Sequence, residues 1–295
     1  MPRLFQAYVM VDWSAAAKPA TGPDSIWVGV LKRNVRFQLA FEAHNPATRA
    51  GALELLESVL NDLKRNGERV LVGFDFPLGF PSGTAAALKL AGEPWRALID
   101  HVAREIRDKP NNDNNRFQVG ARMNRVMTGE AFPFWGAPAR EAQSMLSAKR
   151  PREHGPDDLP EFRLTEAALK TASSIWKLYY QGSVGGQALT GLPVVKRLHD
   201  DRTAKLWPFE TGWKPLANGD VEGLDAVFAE IYPSMWPTTP KAGEIKDAAQ
   251  VRATAEHFAA LDEKSQLGAL FGPAKEDTRR ATVETEEGWV LGAPF

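Results

Sequence analysis

The stretch VLVGFDFPLGFP, residues 70–81, joins an apolar run to a single carboxylate. The run is typical of a buried strand, and it reaches Asp75 just before Pro77. An unpaired buried carboxylate is costly, so it either becomes protonated or finds a partner. We therefore expect Asp75 either to stay protonated or to have a partner that compensates its charge.

Three strands and one helix are predicted before this stretch. The strands lie at residues 7–12, 26–31 and 35–42, and the helix lies at 48–65. The third strand is predicted from its alternation of apolar and polar residues. A helix between the third and fourth strands favours a parallel crossover. The strand ends at Asp12 and Asp75 would then lie at the same edge of the sheet.

The chain divides into a core and an insertion. Residues 80–224 carry helical stretches such as 94–108 and 165–181 between polar loops, and we predict a mostly helical insertion or lid. The apolar run at 225–234 then resumes the sheet, and a helix follows at 244–263. The prediction is an α/β protein whose core comprises residues 1–79 and 225–295.

Composition excludes several classes of protein and site. The 295 residues carry a net charge of −1, so no overall charge draws the chain toward nucleic acid or a membrane surface. There are no cysteines, which excludes disulfides and thiolate metal sites. No signal peptide and no membrane span are predicted. We expect a cytoplasmic protein with no membrane partner.

Four carboxylates lie at positions where a catalytic or metal site could form. They are Asp12, Asp75 and Glu230 at strand ends, and Asp247 in a first helical turn. Clustered carboxylates raise one another's pKa unless a cation compensates. Oxygen ligands suit Mg²⁺ or Mn²⁺, so Asp12, Asp75 and Asp247 are predicted metal ligands, and all four acids are candidate catalytic residues. The alternative is structural: each Asp caps a turn or helix, and Glu230 pairs with an arginine.

Two further segments are candidates for substrate binding. Arg116, Arg122, Arg125 and Lys177, together with Trp176, Tyr179 and Tyr180, could form a basic stacking surface for single-stranded nucleic acid. A solvated helix face is the alternative. The glycine-rich segment 182–197 could offer backbone amides to phosphate, or it could be a flexible connector.

Five segments resemble landmarks of the family called domain of unknown function 429, whose members are predicted ribonuclease H-like nucleases. They are VMVDWSAAAKPATGPDSIWVGVL (9–31), VGFDFPLGFP (72–81), AEIYPSMWP (229–237), KDAAQVRATA (246–255) and EEGWVLGAP (286–294). The resemblance implies a ribonuclease H-like fold with a five-stranded mixed sheet flanked by helices. It also implies metal-binding acids at Asp12, Asp75 and Asp247. The helix at 244–263 departs from the pattern, because position 250 is Gln.

Three functions follow as hypotheses. The leading one is a metal-dependent nuclease or phosphodiesterase that uses Mg²⁺ or Mn²⁺ on nucleic acid. The second is an ATP-dependent phosphotransferase of the actin or sugar-kinase type, in which the loop with Ser14 and Lys18 approaches a phosphate. The third is a binding protein that keeps the fold without the chemistry.

Overall fold

The computed structural model describes residues 3–295, in which six strands form one mixed sheet. The strands are β1 (Ala7–Asp12), β2 (Trp27–Arg33), β3 (Leu39–His44), β4 (Val70–Phe74), β5 (Ala204–Leu206) and β6 (Ala226–Glu230). Their order across the sheet is β3-β2-β1-β4-β6-β5. The pairs β1–β2 and β2–β3 are antiparallel, whereas β1–β4, β4–β6 and β5–β6 are parallel.

Eight α-helices accompany the sheet in the described part of the chain. They are α1 (Arg49–Arg65), α2 (Thr84–Ala87), α3 (Pro94–Glu105), α4 (Arg116–Met127), α5 (Leu164–Leu169), α6 (Gly185–Asp200), α7 (Lys246–Glu263) and α8 (Arg280–Thr282). Short 3₁₀ turns lie at Asn218–Asp220, Pro233–Met235 and Leu267–Phe271, and a π-helical turn lies at Val283–Glu287. None of the helices in residues 3–295 has the length and apolar character that a membrane crossing requires.

The α/β prediction with a mixed sheet flanked by helices is confirmed, but the sheet has six strands where five were expected. The additional strand, β5, lies inside the segment 80–224 and pairs with β6 at the sheet edge. It is only three residues long. A strand this short carries no periodic signal that sequence analysis could recognise.

The predicted third strand at residues 35–42 is wrong in its boundaries, because β3 begins at Leu39. Asn34 makes a turn instead: its side-chain Oδ1 accepts hydrogen bonds from the backbone N–H groups of Arg36 and Gln38. Val35 and Phe37 are 97% and 79% exposed, so their alternation with polar residues marks a solvent-exposed turn, not a sheet face.

Alternation along the central strands sends side chains into two cores, one on each face of the sheet. Val9, Val11, Val72 and Phe74 point to the core that contains α1, α3 and α6. Tyr8, Met10, Leu71 and Val227 point to the opposite core, which contains α7. The carboxyl ends of β1, β4 and β6 are therefore fixed from both sides.

The segment 80–224 contributes helices α2 to α6 as well as β5. The predicted helix at 165–181 is wrong in its length, because α5 ends at Leu169 and Lys170 takes a positive φ of 59°. Helix α6 packs on the strand ends so closely that a Cβ at Gly191 would lie 2.3 Å from the ring of Phe76. In the first turn of α6, the side chain of Gln187 donates to the carbonyl oxygen of Trp13 at 2.5 Å, so this turn lies beside the residue that follows Asp12.

Candidate active site

Asp12 and Asp75 lie side by side because β1 and β4 are parallel neighbours. Val11 pairs with Phe74 in the ladder, and the next residue in each chain is the aspartate. The backbone N–H of Asp75 donates to the carbonyl oxygen of Val11 at 3.1 Å, which continues the register by one residue. The two carboxyl groups hydrogen-bond one another. The prediction that these strand ends meet at one edge is confirmed.

Burial and nearby negative charge raise the pKa of both carboxyl groups above its ordinary value. Burial, followed by the charge of Asp75, raises the pKa of Asp12 far above the usual carboxyl range. Burial also raises the pKa of Asp75, although the N–H of Trp13 donates to its Oδ1 at 2.8 Å and opposes the shift. Two such groups cannot both ionise cheaply, so without a cation the pair keeps a proton at neutral pH.

Two more acids adjoin this pair. Asp247, in the first turn of α7, raises the pKa of both Asp12 and Asp75 by its charge. Its Oδ2 accepts a hydrogen bond from the backbone N–H of Asp24 at 2.8 Å, and the Asp24 carboxylate adds to the charge felt by Asp12. Within residues 3–295, none of these four acids forms a salt bridge with a lysine, arginine or histidine. No basic side chain in the described part of the chain is therefore paired with this negative charge.

The donor chemistry of this cluster fits a hard cation. Its ligating atoms are carboxylate oxygens, which suit Mg²⁺ or Mn²⁺ better than zinc or copper. No set of three or more His, Cys, Asp or Glu side chains in the described ranges is already gathered at metal-ligand spacing. Mg²⁺ does not require such a set, because it keeps several waters and is commonly held by one or two carboxylates.

Three of these acids, Asp12, Asp24 and Asp247, line a cavity of about 950 Å³ between the carboxyl ends of the central strands and the segment 80–224, whereas Asp75 is not part of its wall. Asp12 and Asp247 form part of its wall, together with the predicted substrate residues Ser14 and Lys18. Another part of the wall comes from the loop before α4, from α4 itself, and from the segment that leads into α6. Its residues include Asn114, Arg116, Phe117, Tyr179, Tyr180, Ser183 and Gln187.

Glu230 takes a different place from the other predicted acids. The guanidinium of the fully buried Arg163 donates to both of its oxygens, at 2.6 and 2.8 Å. The backbone N–H of Leu78 donates to it as well, at 3.1 Å. Arg163 is also paired with Glu166. Glu230 is therefore half of a buried ion pair and does not line the cavity, as the structural alternative anticipated.

The remaining predicted basic residues do not converge on the cavity. Arg116 and Arg125 are separated by about two and a half helical turns, so they lie on opposite sides of α4. Arg122 is ion-paired with Glu105 and borders a second, smaller cavity. The ammonium of Lys177 donates to the carbonyl oxygen of Gln181 at 2.6 Å. The expected basic surface is thus dispersed, and only Arg116 reaches the cavity wall.

No sequence pattern marks Asp24 as a site residue, and none distinguishes Arg116 from the basic residues near it. Asp24 lies in the sequence TGPDS, where an aspartate is ordinarily interpreted as a residue that stabilises a turn. The burial of Arg116 depends on contacts between α4 and α6, which are 69 residues apart at their first residues, Arg116 and Gly185. No local pattern reports such a contact.

Comparison of the chain with protein-family models, with curated proteins and with solved structures finds no match. Inference about this site therefore depends on the geometry described above.

Replacing Glu230 with glutamine should destabilise the fold without a specific catalytic defect. Arg163 would lose a charged partner inside the core, which we expect to lower the free energy of unfolding by about 3–5 kcal/mol. Urea denaturation measures the change. Glu153→Gln, at a surface position, serves as the control and should shift stability by less than about 0.5 kcal/mol. A stability equal to wild type in Glu230→Gln would contradict the structural assignment.

Replacing Asp12 with asparagine should stabilise the metal-free protein as the pH rises. Above a pH of about 4 the unfolded wild-type chain releases this proton while the folded chain retains it, so wild type loses stability that the variant keeps. In EDTA we expect the advantage of Asp12→Asn to grow by up to about 1.4 kcal/mol per pH unit between about pH 5 and pH 8.

Denaturation at several pH values measures this advantage. Asp157→Asn, which removes a carboxylate at an exposed position, is the matched control, and the advantage of Asp12→Asn is measured relative to it. An advantage of Asp12→Asn that stays constant or shrinks with pH would show that Asp12 is ionised normally in the folded protein.

Proposed function

We propose that the protein is a metal-dependent phosphodiesterase of the ribonuclease H-like type, acting on nucleic acid. The observation that carries the proposal is the adjoining pair Asp12 and Asp75 at parallel strand ends, with Asp247 nearby and no basic side chain of residues 3–295 paired with them. A protein does not gain stability from such an arrangement. A cation that fits it removes the repulsion, and carboxylate-bound divalent ions are a common means of phosphodiester hydrolysis.

The sheet supports the fold type that the family resemblance implies. The strands β3, β2, β1, β4 and β6 are consecutive in the sheet and would form the expected five-stranded core. In this proposal β5 is an addition at the edge that the inserted segment 80–224 provides. The two aspartates then lie at the centre of the sheet, on β1 and directly after β4.

Asp12 and Asp75 would hold Mg²⁺ or Mn²⁺, and Asp247 would complete the site, directly or through water. Bound there, the ion would supply charge neutralisation at the phosphate and a water of lowered pKa. Trp13 keeps Asp75 oriented by the hydrogen bond from its N–H to Oδ1. Asp24 positions Asp247 through the backbone hydrogen bond to Oδ2.

The cavity offers contacts that suit a nucleotide chain. The exposed rings of Tyr179 and Tyr180 lie 4.9 Å apart at its wall, where a base could stack. Ser14 and the exposed Lys18 also line the cavity. The same residues could serve a phosphotransferase, but no further contact favours that function. A non-catalytic protein would be expected to neutralise Asp12 and Asp75 with arginines, and none is paired with them in residues 3–295.

The test is cleavage of labelled single-stranded, double-stranded and branched DNA and RNA in Mg²⁺ or Mn²⁺, with ATP hydrolysis measured in parallel. We expect cleavage by wild type, lowered at least about 100-fold in Asp75→Asn because the carboxylate that shares the site is lost. Asp157→Asn keeps the same change of charge at an exposed position and should cleave like wild type.

Two results would contradict the proposal. One is no cleavage of any substrate by wild type with either ion. The other is equal cleavage by wild type and Asp75→Asn, which would place the activity elsewhere or in a contaminant. Hydrolysis of ATP alone, dependent on Asp75, would favour the phosphotransferase.

A further inference from the structure

Arg116 differs from the other buried arginines of the described chain. Four arginines in residues 3–295 are buried, and three of them are ion-paired: Arg49 with Asp108, Arg163 with Glu166 and Glu230, and Arg252 with Glu244 and Glu256. Arg116 is only 4% exposed and forms no salt bridge with any carboxylate in that part of the chain. A buried guanidinium without an anion is costly, because arginine stays protonated. A buried carboxyl group, in contrast, can become neutral by taking up a proton.

The guanidinium is held in place by neutral groups. Its Nη1 donates to Oδ1 of Asn114 at 3.0 Å, and its Cζ lies 4.2 Å from the centre of the Phe117 ring. Its Nε is buried and has no hydrogen-bond partner. Burial and the neighbouring charge of Arg49 lower the pKa of Arg116 to about 10, so it stays charged at neutral pH. These contacts fix the orientation of Arg116 without neutralising it.

The first turn of α6 adds a second positive end at the same place. A Cβ on Gly186 would lie 3.3 Å from Nε of Arg116, so the glycine allows the guanidinium to rest against the helix terminus. This 16-residue helix has no side-chain cap. The N–H of Gly185 donates to the carbonyl oxygen of Lys177 at 3.0 Å, whereas the N–H groups of Gly186 and Gln187 have no acceptor in residues 3–295, and Gln187 lines the cavity. Unpaired amides and the helix dipole both attract anions.

The acids close to Arg116 are engaged elsewhere. Asp108 pairs with Arg49, and Glu141 accepts from the side chain of Gln118 at 3.3 Å. Asn114 is neutral. The cavity wall therefore includes both the acids Asp12 and Asp247 and the cation Arg116, together with Gln187 in the first turn of α6. A ligand that brings its own negative charge would satisfy Arg116.

We propose that Arg116 and the N-terminal amides of α6 form a phosphate-binding subsite. As a contact to the substrate it rests on the proposed function, where it would hold a phosphate of the nucleotide chain next to the one that is cleaved. The binding of the oxyanion itself requires no metal and no catalysis. A planar guanidinium with backbone amides is the recognition chemistry that tetrahedral phosphate oxygens favour.

The experiment measures phosphate binding in EDTA, so that its failure is distinct from failure of the nuclease proposal. Inorganic phosphate, a nucleoside 5′-monophosphate and a short single-stranded oligonucleotide are titrated by calorimetry, against chloride at equal ionic strength. We expect binding by wild type, weakened about tenfold or more in Arg116→Gln because a charged hydrogen-bond donor is lost. Arg197→Gln, which removes an exposed arginine from the distal part of α6, should bind like wild type.

A second measurement covers the case in which Arg116→Gln does not fold. In wild type labelled with ¹⁵N-arginine, phosphate should shift the Nε–H resonance that Arg116→Lys removes. If both inorganic phosphate and the monophosphate bind, a free phosphate group is sufficient for binding at the subsite. If only the oligonucleotide binds, the subsite recognises the phosphodiester chain. Either result supports the subsite if it depends on Arg116. No binding of any probe by wild type, or binding unchanged in Arg116→Gln, overturns it.

Discussion

The contact between the Asp12 and Asp75 carboxyl groups is the constraint on which the site depends. It follows from backbone pairing, because β1 and β4 are parallel and each strand leads directly into its aspartate. The β-ladder holds the two groups together, so neither can move away without breaking hydrogen bonds at the centre of the sheet. Repulsion that cannot be relieved by motion must be relieved by a proton or by a cation.

Glu230 is a carboxylate of the same protein whose role is structural. It also ends a central parallel strand, but Arg163 and the N–H of Leu78 satisfy its oxygens. The arginine comes from the segment 80–224, which also walls the cavity over Asp12. The segment 80–224 thus pairs an arginine with the end of β6, whereas within residues 3–295 no basic side chain pairs with the neighbouring ends of β4 and β1. This difference between neighbouring strand ends is the physical basis for assigning function to Asp12 and Asp75.

Local pattern was enough to predict the centre of the molecule. The apolar runs before Asp12 and Asp75 and the helix between their strands imply parallel pairing, and the structure has it. Pattern failed where the decisive contact is distant or the element is short. The partner of Glu230 lies 67 residues away in a segment without periodicity. The turn at residues 34–38 imitates strand alternation, and the burial of Arg116 arises only when α4 meets α6.

The most direct test of the central claim is the number of protons released when Mn²⁺ binds. Calorimetry near pH 7 in buffers of different ionisation enthalpy gives this number. If Asp12 and Asp75 share a proton that a cation displaces, binding should release about one proton per ion. Binding with no proton release, or no binding at all, would contradict the claim that this carboxylate pair is a cation site.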